Sequence, residues 1–235
     1  MRISLLMLMA LFSISAFADP IMGGPCVDGT AAQYFALGLA GCNATVGPYT
    51  LNVELAGTGS GTNTPGASYP SDLTDITIHP SFALLPDGFS EDFQLSFVSG
   101  SWMGIVGQSL GFSASFITQV NQPVTMILNQ VTTAESGDVT AGICPGVYIF
   151  ASLCSTEYST TSAGNSATAV FAPANALTLF GVRGEFDGSL SDGSFSGLSI
   201  HADATVPEPR ISLVTALSLL TLLSGVMRGR RSAKL

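Results

Sequence analysis

Two histidines are the only side chains in this 235-residue chain whose ordinary pKa lies near neutrality. His79 closes the run LTDITIH (73–79) just before Pro80, and His201 sits inside LSIHADA (198–204). Either would serve as a general base given a hydroxyl nucleophile and an orienting carboxylate within reach. The nucleophile is what the sequence withholds. A serine hydrolase elbow reads G-x-S-x-G, and GTGSG (57–61) carries Ser60 one place late, so Ser60 reads as a loop residue. Carboxylate pairs for glycoside hydrolysis are Glu91–Asp92 and Glu185-x-Asp187. Adjacent strand residues point to opposite faces, which separates the first pair. The second shares a face, but Gly188 makes it the approach to a turn. No catalytic residue is assigned and no enzyme is expected.

Two loops, PDGFSED (86–92) and EFDGSLSDG (185–193), gather carboxylates and carbonyls around glycine, which suits calcium. Neither matches an EF-hand or a Gly-Gly-x-Gly-x-Asp repeat, so they read as solvated acidic turns and no cofactor is expected. Trp102, Tyr34, Tyr49 and Tyr69 could stack on sugar rings, although a lone Trp beside a strand end is more often core.

The elements that must hold these residues are strands. YTLNVEL (49–55), LTDITIH (73–79), FQLSFVS (93–99), LGFSASF (110–116), VTMILNQV (124–131), VYIFAS (147–152), TAVFA (168–172) and ALTLFGV (176–182) alternate or are rich in β-branched residues. In FQLSFVS, Phe93, Leu95 and Phe97 share one face. Between the runs lie turn-forming pieces: GTGSGTNTPG (57–66), PDG (86–88), SGD (136–138) and SDG (191–193). One short helix is expected over AAQYFALGLA (31–40). The fold class is all-β, an antiparallel sandwich or jelly roll.

Four cysteines, Cys26, Cys42, Cys144 and Cys154, allow three disulfide connectivities, of which the local one, Cys26–Cys42 with Cys144–Cys154, is preferred. With no Cys-x-x-Cys and two distant histidines, a metal site is not expected. Disulfides imply an oxidising compartment.

Charge narrows the partners. Of seven basic residues only Arg183 lies between Ile3 and Pro209, whereas all 16 acids fall between Asp19 and Glu208. Nucleic acid needs clustered Lys and Arg on the folded part, and none are there. Attraction to anionic lipid is excluded on the same ground.

Both ends read as addresses. Arg2, the apolar stretch Ile3–Phe17 and the sequence Ala16-Phe17-Ala18 have the form of a secretory signal peptide over 1–18, cut before Asp19. At the other end, Val206-Pro207-Glu208-Pro209 precedes an apolar run of 17 residues, 211–227, between Arg210 and Arg228. As a helix that run would span about 25 Å, the short limit for a bilayer. Arg210, Arg228, Arg230 and Arg231 set a single transmembrane helix with its basic tail, 228–235, on the cytoplasmic side. Pro207 and Pro209 keep the preceding segment extended and readable by an enzyme.

This ending resembles the PEP-CTERM sorting signal of Gram-negative bacteria. The resemblance implies recognition by exosortase, a membrane-embedded cysteine protease-transpeptidase that removes the tail. It also implies association with extracellular polysaccharide. PCVDGTAAQYFALGLAGCN (25–43) and FAPANALTLFGVRGEFDG (171–188) are similar, more loosely, to segments of other β proteins with this ending, and imply no activity. The expected organisation is a signal peptide (1–18), an exported β-rich body (19–205) and the sorting signal (206–235). The protein is expected to be anchored in the inner membrane before processing, and on the cell surface or outside the cell afterwards. The leading reading is a non-enzymatic envelope or surface protein. A carbohydrate-binding module is the first alternative, with a planar aromatic strip as its discriminating feature. A secreted hydrolase is the second, requiring a cleft with a histidine beside a serine and an aspartate.

Overall fold

A computed structural model describes residues 23–62, 73–97, 102–103, 110–145, 158–188 and 194–207. The elements are β1 (Gly29–Thr30), α1 (Ala31–Leu37), β2 (Cys42–Val46), β3 (Tyr49–Thr62), β4 (Ile76–Leu85), β5 (Gly88–Phe97), β6 (Trp102–Met103), β7 (Leu110–Val124), β8 (Met126–Pro145), β9 (Tyr158–Phe171), β10 (Leu177–Gly188), β11 (Ser194–Phe195) and β12 (Gly197–Thr205). β6 and β11 pair with each other, and the other ten strands form one antiparallel sheet ordered β1-β4-β5-β12-β8-β10-β7-β3-β2, with β9 also on β8.

The long strand β8 explains how one sheet becomes two layers. Along one edge β8 pairs with β9 through both its halves. Along the other, residues 126–132 pair with β12 and residues 137–145 pair with β10. The sheet therefore forks at 133–136, and its two leaves fold face to face as a jelly-roll-like sandwich. The first leaf is β1-β4-β5-β12 with the start of β8 and the end of β9. The second is the end of β8 with β10, β7, β3 and β2.

Alternation in the sequence supplies the facing sides. β12 buries Leu198, Ile200, Ala202 and Ala204 and turns Ser199, His201 and Asp203 outward. β5 buries Phe89, Phe93 and Leu95, and its rings meet the second leaf: Phe93 stacks on Phe116 of β7 at 3.9 Å, and Phe97 meets Phe112 edge-on at 5.5 Å. Burying each such ring contributes about 2–3 kcal/mol. Where β10 crosses β12 the leaves are so close that a Cβ on Gly184 would lie 2.6 Å from Cγ1 of Ile200.

Helix α1 forms where expected. Thr30 caps it, its hydroxyl accepting from the Gln33 N–H while Gln33 accepts from the Thr30 N–H, and Gly38 ends it at a φ of 53°. Ala31, Tyr34 and Leu37 bury its inner side. The Cys26–Cys42 disulfide, with Cα atoms 5.0 Å apart, ties the segment before the helix to β2. This is the local pairing expected from the sequence. Cys144 is also disulfide-bonded, and Cys154 lies outside the described residues.

Seven strands, β3, β4, β5, β7, β8, β9 and β10, run further than the sequence pattern shows. β3 continues through Gly57–Thr62, so Ser60 is a strand residue opposite Phe112 and not a loop residue. β4 runs through Pro80, where, among the described residues, it pairs only with β5, the edge position in which a missing N–H is tolerated. β9 begins ten residues before TAVFA, at Tyr158. The expected turn at 136–138 belongs to the fork in β8, where the register against β9 shifts between Thr132 and Gly137. Among the described residues no helix is long and apolar enough to cross a membrane. The expected span at 211–227, the basic tail, VYIFAS (147–152) and the signal-peptide residues Ala16, Ala18 and Asp19 lie outside the described residues.

Candidate functional site

The outer face of the first leaf brings together residues more than a hundred positions apart. Register across β4, β5, β12, β8 and β9 aligns Ser81, Asp92, His201, Gln130 and Thr168 in one row. The row beside it is His79, Gln94, Ser199, Thr132 and Ser166. All ten side chains are polar, and all are exposed or half-buried. At the centre, His201 lies between two carboxylates, with Nε2 3.1 Å from Asp203 Oδ1 and Nδ1 3.5 Å from Asp92 Oδ2. The Ser199 hydroxyl donates to Asp92 Oδ1 at 3.4 Å.

The second row ends beside a cleft. His79 Nδ1 lies 2.5 Å from Asp28 Oδ1, and both line a cavity of about 350 Å³ with Thr30, Gln33, Thr74 and Thr77. β1 and the start of α1 form its far wall. The polar face and the cleft are continuous through His79.

This arrangement does not make the hydrolase constellation. His201 does sit beside a serine and an aspartate, but the aspartate lies between the other two, and the Ser199 proton points to Asp92 and not to the imidazole. Nothing there activates Oγ for attack. The group also stands on a strand face, whereas the residues lining the cleft beside His79 are threonines, glutamine, glycine, isoleucine and aspartate.

Glu91 and Asp92 separate as alternation requires: Asp92 joins the outer face, while Glu91 is 1% exposed in the core. Burial pushes the Glu91 carboxyl up to about 7, against the hydroxyl of Thr118, which donates to Oε2 at 2.7 Å and favours the ionised form. Among the described residues Oε1 has no hydrogen-bond partner. In PDGFSED, Pro86 and Asp87 make a hairpin turn, and the acids after it diverge to opposite faces of β5. Glu185 and Asp187 lie within β10 on the outer side of the second leaf, with Arg183 Nη2 3.0 Å from Glu185 Oε2. Among the described residues no three His, Cys, Asp or Glu side chains converge as a metal site.

The rings that could stack on sugars form no strip among the described residues. Tyr34 is in the core, its hydroxyl donating to Val27 O at 2.7 Å, and burial followed by the Asp28 charge raises its pKa. Tyr49 packs against Phe89 at 5.3 Å. Tyr69 lies outside the described residues, and the Trp102 ring is not among the described side chains. Of the sorting motif, Val206 is buried and donates its N–H to Asp87 O at 2.9 Å, while Pro207 is exposed. The body thus runs one residue into the motif. Glu208, Pro209 and the flanking arginines lie outside the described residues.

No family model matches the chain, and no curated protein matches it. Similar solved structures include TmCBM61 in complex with β-1,4-galactotriose, at 7% identity and a TM-score of 0.27 over 69% of this chain and 89% of that one. A family 11 carbohydrate-binding module from Clostridium thermocellum, in complex with a mixed-linked tetrasaccharide, has 9% identity and a TM-score of 0.23 over 64% and 91%. The enzymatically active domain of bacteriophage CBA120 tailspike protein 4 has 14% identity and a TM-score of 0.28 over 68% and 20%. Likeness at this level does not bear on activity.

Proposed function

We propose that the protein is an exported, non-enzymatic surface protein whose body binds polysaccharide through the outer face of the first leaf. The observation that carries this reading is the double row of side chains across five strands, from His79 and Ser81 to Ser166 and Thr168. Hydroxyls, amides, imidazole and carboxylate together offer donors and acceptors at every strand, which is what a hydroxyl-rich polymer needs to exchange its water for protein. Hydrogen-bonding groups, and not a planar aromatic strip, carry this reading. Affinity electrophoresis of the native exported protein in gels containing soluble polysaccharides tests the reading. Retardation by at least one polysaccharide, lost in Asp92→Asn/His201→Ala, is expected; unchanged mobility in all of them would refute it.

Delivery to the surface is the second half of the proposal. The ending VPEPR, apolar run and arginine cluster supports processing by an exosortase in a Gram-negative envelope. Intact-mass measurement of the protein from its host should find Asp19 at one end and a C-terminus at Pro207 or shortly after it, because Val206 is held in the body. A tail intact through Lys234 would instead indicate a permanent single-pass anchor.

A further inference from the structure

The rows on the first leaf have a direction and a repeat, and the body has a charge pattern, which together restrict the ligand. Neighbouring strands lie ~4.8 Å apart, so five strands span roughly 19 Å from β4 to β9. Ser81, Asp92, His201, Gln130 and Thr168 therefore present one hydrogen-bonding side chain per strand along a line perpendicular to the strands. The strand spacing is close to the length of one pyranose ring in an extended chain. A ribbon-like glycan laid along that line meets a fresh polar group at each successive sugar, whereas a coiled glycan loses the register after one or two.

Charge is the second constraint. Between Ile3 and Pro209 the only Lys or Arg is Arg183. It stands on β10 in the second leaf, with its guanidinium on Glu185. The binding face carries Asp92 and Asp203, and Asp28 stands at the cleft beyond His79. A uronate or sulfate on the ligand would face these carboxylates with no guanidinium or ammonium to receive it.

Resting on the reading above, we infer that the face binds an uncharged, extended glycan lying across the strands and covering about four sugar units. Its affinity then grows with chain length up to that size, and it depends little on salt because no ion pair is formed.

Isothermal titration of the native exported protein tests this with three probes: cellobiose, cellotetraose and a tetrauronate. The tetraose should bind at least about tenfold tighter than the disaccharide, a difference of 1.4 kcal/mol, and the tetrauronate should not bind measurably. Ser81→Ala and Thr168→Ala, at opposite ends of the row, should each weaken tetraose binding and leave disaccharide binding nearly unchanged. Equal affinity for disaccharide and tetraose, or preference for the uronate, would overturn the inference while leaving polysaccharide binding intact. Failure of all three probes, with retardation by some other polysaccharide in affinity gels, would overturn the extended neutral class alone. Failure in both assays would overturn the polysaccharide reading itself.

Discussion

Glu91 and Asp92 are consecutive residues of one strand, and they show how differently the two faces of the first leaf are built. The inner face has Phe89, Phe93, Leu95, Ile200 and Ala202 packed against the second leaf, with Glu91 enclosed among them. The outer face has Asp92, His201, Ser199 and the glutamines, with partners mostly of their own kind and solvent in front. Stability resides in the first set, and the proposed recognition in the second. Substitutions one residue apart should therefore separate the two properties.

The largest effect belongs to the inner face. Phe93→Ala removes a ring that stacks on Phe116 and meets Phe82 edge-on at 6.1 Å, and should cost about 3–5 kcal/mol in denaturant unfolding. Opening the Cys26–Cys42 bridge, which closes a separation of 16 residues, should cost about 3 kcal/mol. Because α1 and the cleft wall hang on that bridge, its loss should expose the α1 amides to hydrogen exchange before those of β5.

Glu91 gives the inner face a pH dependence of its own. Its carboxyl titrates near 4.5 when unfolded and at about 7 when folded, so the folded state holds the proton more tightly. The neutral form's stabilisation is complete below pH 4.5, declines as pH rises toward 7, and is lost above it; the span is about 3 kcal/mol. Glu91→Gln, which stays neutral, should flatten this slope. A slope that survives the substitution would show that another group carries it. At the small end, Asp92→Asn should change stability by no more than about 0.5 kcal/mol, yet weaken glycan binding by about tenfold.

The sequence made the inner face legible and left the outer one largely hidden. LSIHADA and FQLSFVS announce their buried residues by alternation alone, and that pattern already puts Ser199, His201 and Asp203 together on one side. Nothing local says that Asp92, Ser81, Gln130 and Thr168 lie beside them, because register between strands far apart in sequence is set by the whole sandwich. The missed strand segments have the same origin. Gly57–Thr62, Pro80 and the residues around the β8 fork carry turn-forming chemistry, and pairing with β7, β5 and β9 holds them extended regardless. Conversely, Tyr34 and Tyr49 were chemically suited to sugar, but burial at α1 and against Phe89 directs them inward.

The most direct test of the central claim compares the two outer faces in one binding experiment. Native protein, Asp92→Asn/His201→Ala on the first leaf, and Gln119→Ala on the exposed side of the second leaf would be titrated with the extracellular polysaccharide of the host. Binding that is lost in the first variant and kept in the second is the predicted result. Equal binding by all three proteins would contradict the account and move recognition away from the His201 face.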